Sequence, residues 1–223
     1  SQNYYQNKLR LTNILEDAMN FFTDQLYKYN PAKKYLTDRE IHSKSEKTFQ
    51  LGFAPANSQL LINILSKKGY SKADIQASGL ITQNGRSYFF NRLIFPIFNE
   101  KKNLIAFGGR NLNSHNPKYL NSPETELFSK KKTLYGLNNI QHLHKPISSI
   151  LLVEGYIDVI SLHQAGIQNV VATLGTALSK HHLLTLSKHT NLLIFCFDGD
   201  TGGKQAAWRA TQTILKQSLT PIE

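Results

Sequence analysis

Between residues 8 and 29 the apolar positions fall at Leu11, Ile14, Leu15, Ala18, Phe21, Phe22 and Leu26, with polar residues between them. Steps of three and four place all seven on one stripe of a helix that turns every 3.6 residues, so the spacing predicts an amphipathic α-helix. Pro31 interrupts it, and a second short helix is expected from Ala32 to Arg39. A third is predicted from Ser58 to Lys67. A fourth should follow Ser71, whose hydroxyl can cap it with Asp74 three residues on. The period then changes. "SYFFNRLIFPIFN" and "LIAFGGRNL" are aromatic and β-branched, and they sit near Asn84–Gly85 and a turn at Asn99–Asn103, which predicts antiparallel strands. From about Asn111 to Pro146 the sequence reads as a basic loop.

After Ser148 the pattern changes again. Short apolar runs without a polar face ("SSILLVEG", "NVVATLG", "NLLIFCFDGD") alternate with helical stretches ("DVISLHQAG", "SKHHLLTLSKH", "GKQAAWRATQTILKQ"). Three strand–helix alternations predict a parallel sheet covered on both sides. The fold class expected is therefore a mixed α+β part over residues 1–147, followed by a parallel-sheet α/β part over residues 148–223.

Composition narrows the possible functions. Hydrophobic content of 40%, with 12 Phe and 10 Tyr, supports a packed core and argues against disorder. No run of 18 apolar residues and no charged-then-apolar leader is present, so neither a membrane span nor a signal peptide is expected. The single Cys196 reads as a small core residue. It allows no C-x-x-C zinc site, and the lack of a disulfide fits a cytoplasmic protein. The 26 Lys and Arg against 15 Asp and Glu give a net charge of +11, which points to a polyanionic partner, nucleic acid first. A first residue that is not Met, and an end in "QSLTPIE" with no stop signal, suggest a piece of a longer chain.

The chemistry concentrates where the apolar strands end. One strand runs into Glu154, with Asp158 four residues later; the last runs into Asp198-Gly199-Asp200. In an open α/β sheet, ligands bind beyond the C-terminal ends of the strands. In an extended segment residues i and i+2 point to the same side, roughly 6.5 Å apart, so Asp198 and Asp200 can converge on one point that Glu154 reaches from a neighbouring strand. Such carboxylates repel one another unless a cation lies between them, and hard oxygen donors suit Mg²⁺ or Mn²⁺ rather than zinc. Two rival motifs fit poorly. A phosphate-binding P-loop needs a glycine where Asp198 stands and a Ser or Thr where Gln205 stands. Aspartate-nucleophile phosphatases carry a threonine two residues after the second Asp, and Gly202 holds that place. A plain strand-to-helix turn capped by Asp200 or Thr201 remains open on this stretch alone.

"VEGYIDVISLHQAGIQNVVATLGTALS" followed by "FCFDGDTGGKQAAWRA" resembles the Toprim domain, which is shared by topoisomerases, some nucleases, recombination proteins and bacterial primases. Upstream, "LGFAP", "RLIFPI", "FGGRNL", "PKYLNSPET" and "LYGL" occur in the order of the polymerase core of a bacterial DnaG-type primase, and the resemblance runs over residues 8–216. It implies a DNA-dependent RNA polymerase that makes short RNA primers on single-stranded DNA from ribonucleoside triphosphates. It further implies an RNA–DNA hybrid product, Mg²⁺ or Mn²⁺ as cofactor, no zinc in this stretch, and a cytoplasmic location without membrane contact. Helicase and single-strand-binding-protein partners would act through regions not present in this sequence. By the same resemblance, Glu154, Asp198 and Asp200 are the catalytic, metal-holding acids and Asp158 a further metal-site aspartate. Arg39, Arg110, Lys118, Tyr119 and Lys130 are the nucleic-acid and nucleotide contacts. The local charge agrees, with eight Lys or Arg against two acids over residues 101–150. His142 and His144 read as ordinary surface residues. The continuation of the Toprim sheet, with a further acidic segment, is missing from this sequence. Another Toprim enzyme of topoisomerase or nuclease type, or a non-catalytic single-strand-binding fragment, are the alternatives.

Overall fold

The computed structural model describes residues 2–113, 117–143 and 147–218. The chain divides into two compact units, 1–129 and 130–223.

In the first unit, α1 (Gln2–Lys28) buries all seven apolar positions of its predicted stripe. α2 (Asn30–Asp38) starts with Pro31 in its first turn, where a missing N–H costs no helical bond. α3 (Ser43–Thr48) and β1 (Gly52–Ala54) follow, both too short to carry a legible period. α1 lies directly on β1. A Cβ on Gly52 would come within 2.6 Å of the Phe22 Cβ and 2.8 Å of its carbonyl carbon, so only glycine permits this approach. α4 (Gln59–Lys67) and α5 (Lys72–Ala77) complete the helical layer. Ser71 caps α5 as expected: its hydroxyl accepts the Asp74 N–H at 3.1 Å, and the Asp74 carboxylate accepts the Ser71 N–H.

β2 (Arg92–Phe98), β3 (Leu104–Asn111) and β4 (Tyr119–Asn121) join β1 in an antiparallel sheet of order β1-β2-β3-β4. The β2–β3 hairpin turns at Asn99–Asn103, where the Asn99 side chain accepts the N–H groups of Lys101 and Asn103. Pro96 falls beyond the stretch of β2 that pairs with β1, so that pairing loses no donor. Phe22, Phe89 and Phe107 meet edge-to-face at the centre of this unit's core.

The second unit begins earlier than the expected 147/148 division. Leu134, Leu137 and Ile140 pack into its core, and Tyr135 pairs with Ala172 through two backbone hydrogen bonds. Residues 130–143 read as loop in the sequence because their contacts are tertiary rather than periodic. A 3₁₀ turn (Leu137–His142) leads to β5 (Ile150–Val153), α6 (Tyr156–Gln164), β6 (Val170–Ala172), α7 (Lys180–Leu186), β7 (Leu193–Phe195) and α8 (Thr201–Ser218). The sheet is parallel with order β6-β5-β7. Two expectations fail at β7, an edge strand that is only partly covered. Ile194 is 40% exposed, and Cys196 is exposed rather than a core residue. Among the described residues no helix is long and apolar enough to cross a membrane.

Candidate active site and nucleic-acid surface

β5 leads to β6 on one side, and the chain then crosses back to place β7 on the other. The gap between the ends of β5 and β7 is therefore the topological switch point of the sheet, where α/β folds leave a crevice for ligand. Glu154 follows β5 and Asp198 lies three residues beyond β7, so the two acids flank that gap. They are tied together, because Glu154 Oε1 accepts the Asp198 backbone N–H at 2.8 Å. Both carboxylates are exposed, and neither forms an ion pair among the described residues.

The extended geometry expected of Asp198 and Asp200 is not adopted. β7 ends at Phe195 and the chain bends at Gly199–Asp200, because α8 starts at once. Asp200 Oδ1 accepts the Gly203 N–H at 2.8 Å and so caps the first turn of α8. Asp158 has a similar duty, its Oδ2 accepting the Gly155 N–H at 2.9 Å where α6 begins. Gly203 is buried, and a Cβ there would fall 2.0 Å from the Asp198 carbonyl oxygen, so α8 presses its backbone onto the loop that carries Asp198. A pocket of about 220 Å³ opens beside Glu154, lined in part by Thr173, Gly175, Thr176, Phe197 and Arg209, and the Thr176 hydroxyl is buried there without a partner among the described residues.

Among the described residues no three His, Cys, Asp or Glu side chains form a closed ligand group. An open pair of carboxylates still fits a magnesium ion, which keeps several waters and takes one or two protein carboxylates together with substrate phosphates. The donors fit in kind as well. Glu154, Asp198 and Asp200 offer oxygen only, and the one oxygen each that Glu154 and Asp200 give to a backbone N–H leaves the other open.

In the first unit two of the expected basic residues, Arg39 and Arg110, gather around a ring that sequence reading missed. Arg110 on β3 stands opposite Tyr119 on β4. Its Nη1 donates to the Tyr119 hydroxyl at 2.5 Å, and its guanidinium lies 5.1 Å from that ring's centroid. On Tyr35, from α2, the same guanidinium lies 4.7 Å from the centroid, and the Arg39 guanidinium lies 5.7 Å from it. Burial raises the Tyr35 pKa, against the pull of Arg110 and Arg39. Nothing in the sequence joins Tyr35 to Arg110, since 75 positions separate them.

Arg92 is a second omission. Only 4% exposed, it donates to the carbonyls of Pro117 (2.9 Å), Gly109 (3.3 Å) and Lys118 (3.5 Å), fixing the backbone under exposed Lys118. Burial lowers its pKa. Lys130 opens the second unit, where its carbonyl accepts from His182 Nε2 at 3.1 Å, while His182 Nδ1 accepts the Ser179 N–H. His142 is exposed and bonds Gln168; His144 lies outside the described residues.

Two family models match the chain in succession, and they divide it between residues 141 and 148 rather than at the 129/130 boundary of the compact units. The model of the DNA primase catalytic core, N-terminal domain, matches residues 21–141, and that of the Toprim domain matches residues 148–222. The DNA primase of Legionella pneumophila is 43% identical over 218 residues, covering 95% of this chain and 37% of the relative. A solved DnaG primase catalytic domain bound to single-stranded DNA is similar with a TM-score of 0.84 at 35% identity, over 96% of this chain and 68% of that one. The RNA polymerase domain of Mycobacterium tuberculosis primase DnaG gives 0.86 at 32%, over 93% and 72%. This chain spans about a third of the length of the curated relatives it matches. Because the primase-core model covers more than half of the chain and the Toprim model follows it in order, the chain belongs to the DNA primase family.

Proposed function

We propose that this chain is the catalytic part of a DNA-dependent RNA polymerase that lays short RNA primers on a single-stranded DNA template from ribonucleoside triphosphates. The observation that carries the reading is the Glu154–Asp198 link at the switch point of the parallel sheet, in a chain of the primase family. In this reading Glu154 and Asp198 are the principal holders of Mg²⁺ or Mn²⁺, and Asp200 and Asp158 add carboxylates from the first turns of α8 and α6. When bound, the ion neutralises triphosphate charge and assists in-line attack by a primer 3′-hydroxyl.

The chain's own residues do the positioning. The Asp198 N–H holds one Glu154 oxygen, which leaves the other turned to ligand. Asp200 stiffens the turn by capping α8, and Gly203 lets that helix sit against the Asp198 backbone. Arg39, Arg110, Lys118 and Tyr119 bind template or hybrid through phosphates, and Lys130 is a separate cationic contact in this reading. No residue is needed as a covalent nucleophile.

The test is Asp198→Asn in the full-length protein, incubated with single-stranded DNA and labelled ribonucleotides. Primer synthesis is expected to disappear while DNA affinity stays within about two-fold. Unchanged synthesis overturns the metal assignment, and relaxed or nicked DNA in place of primers moves the protein to the topoisomerase or nuclease type.

A further inference from the structure

Among the described residues the Arg39–Tyr35–Arg110 cluster has no acid paired with its cations. The ion pairs Arg10–Asp74, Lys33–Glu46, Lys34–Asp38 and Lys68–Asp17 include neither Arg39 nor Arg110. Two guanidinium groups gathered on one ring repel each other, and the fold holds them there without such a pairing. Arg110 is restrained from two sides, by the Tyr35 ring at 4.7 Å and the Tyr119 ring at 5.1 Å, and its Nη1 is fixed by the Tyr119 hydroxyl. Its Nε is buried with no partner among the described residues. Arg39 is exposed and meets this arrangement through Tyr35, with its guanidinium 5.7 Å from the ring centroid. Among the described residues, Tyr35 is thus the one ring that touches both cations. It sits on α2, one turn before Arg39, while Arg110 comes from the sheet.

We infer that Tyr35 is a positioning residue for nucleic-acid binding: its ring holds Arg39 and Arg110 together so that both meet one stretch of phosphodiester backbone. The inference rests on the reading of Arg39 and Arg110 as backbone contacts. An arginine side chain free in water has many rotamers, and ordering it on binding lowers affinity. A ring that already orders two of them removes that cost and brings two charges to neighbouring phosphates. The ring faces do this, so the hydroxyl is dispensable.

The experiment measures binding of a fluorescein-labelled oligothymidylate to the chain and its variants across a salt series, with circular dichroism as a control of folding. Tyr35→Phe keeps the ring and should bind as the wild type does. Tyr35→Leu should bind about three- to ten-fold more weakly, the scale of one or two cation–π interactions. Its plot of log K against log salt should flatten by about 0.7 for each phosphate no longer neutralised. Tyr35→Gln replaces the leucine variant if that does not fold. In an Arg39→Ala/Arg110→Ala background, Tyr35→Leu should add no further loss.

Each other outcome counts against a definite statement. If Arg39→Ala/Arg110→Ala binds normally, the reading of the arginines fails. If that pair weakens binding and Tyr35→Leu does not, the positioning role fails while the arginines stand. If Tyr35→Leu weakens binding equally in both backgrounds, the ring contacts the strand itself. If Tyr35→Phe is as weak as the leucine variant, the hydroxyl is the working group.

Discussion

Two adjacent glycines, Gly202 and Gly203, start α8, and replacing each by alanine should have opposite effects. At 203 the new Cβ would lie 2.0 Å from the Asp198 carbonyl oxygen and 2.8 Å from the Asp198 carbonyl carbon and nitrogen. Ordinary contact begins near 3.4 Å, so the two backbones must part by about 1.4 Å. Overpacking of this kind costs about 1–3 kcal/mol. The same shift strains the 2.8 Å bond from Asp198 N–H to Glu154, a further loss of about 0.5–1.5 kcal/mol. Against this stands the higher helix preference of alanine, worth at most about 1 kcal/mol. Steric strain wins, and Gly203→Ala should be destabilised by about 1–3 kcal/mol. At 202 the Cβ meets only Asp200, with Oδ1 nearest at 3.3 Å, and that carboxylate can give way. Gly202→Ala should therefore keep much of the helical gain. Thermal melts test the pair. At about 2–4 °C per kcal/mol for a chain of this size, Gly203→Ala should lose roughly 2–12 °C and Gly202→Ala should gain up to about 4 °C. A Gly203→Ala variant that melts at or above the wild type refutes the reasoning.

Arg92→Lys should destabilise the first unit by about 2–4 kcal/mol in urea unfolding, because a buried ammonium keeps the desolvation cost yet cannot span the carbonyls of Gly109 and Pro117. Arg92→Met, which removes the charge, should lose less, and the reverse order would show that burial of the charge is not the dominant cost. His182 gives a pH dependence. Burial holds its pKa below 6.5, so the unfolded chain takes the proton first. Stability should be complete above about pH 6.5 and fall as pH drops below it. The slope should flatten in His182→Gln and leave the part due to His163, which burial shifts the same way.

Long-period patterns were legible in the sequence because they follow from backbone geometry alone. The α1 stripe is one case, since a 3.6-residue turn sorts Leu11 to Leu26 onto one face whatever lies beneath. The Ser71–Asp74 cap and the strand–helix alternation after residue 148 are others, because each is set by neighbours in the chain. The acids at the ends of β5 and β7 could likewise be picked out, as charges that end apolar runs.

What the tertiary structure alone decided depends on distant backbone meeting. The strand order β6-β5-β7 put Glu154 and Asp198 at one switch point, and a parallel sheet's order is not written in its strands. The immediate start of α8 bent Asp198-Gly199-Asp200 out of the extended form and made Asp200 a cap. Ile194 and Cys196 are exposed in this chain although in sequence they look like any core residues, because which side of a strand is covered depends on its neighbours in the fold. Tyr35 and Arg92 acquired their partners across 75 and 25 positions, through a helix laid by Arg110 and a strand laid by Pro117. Local sequence sets the element and its face. Which charges meet is set by packing, because the forces that pair them act through space and are screened beyond roughly 8–10 Å, whatever the separation along the chain.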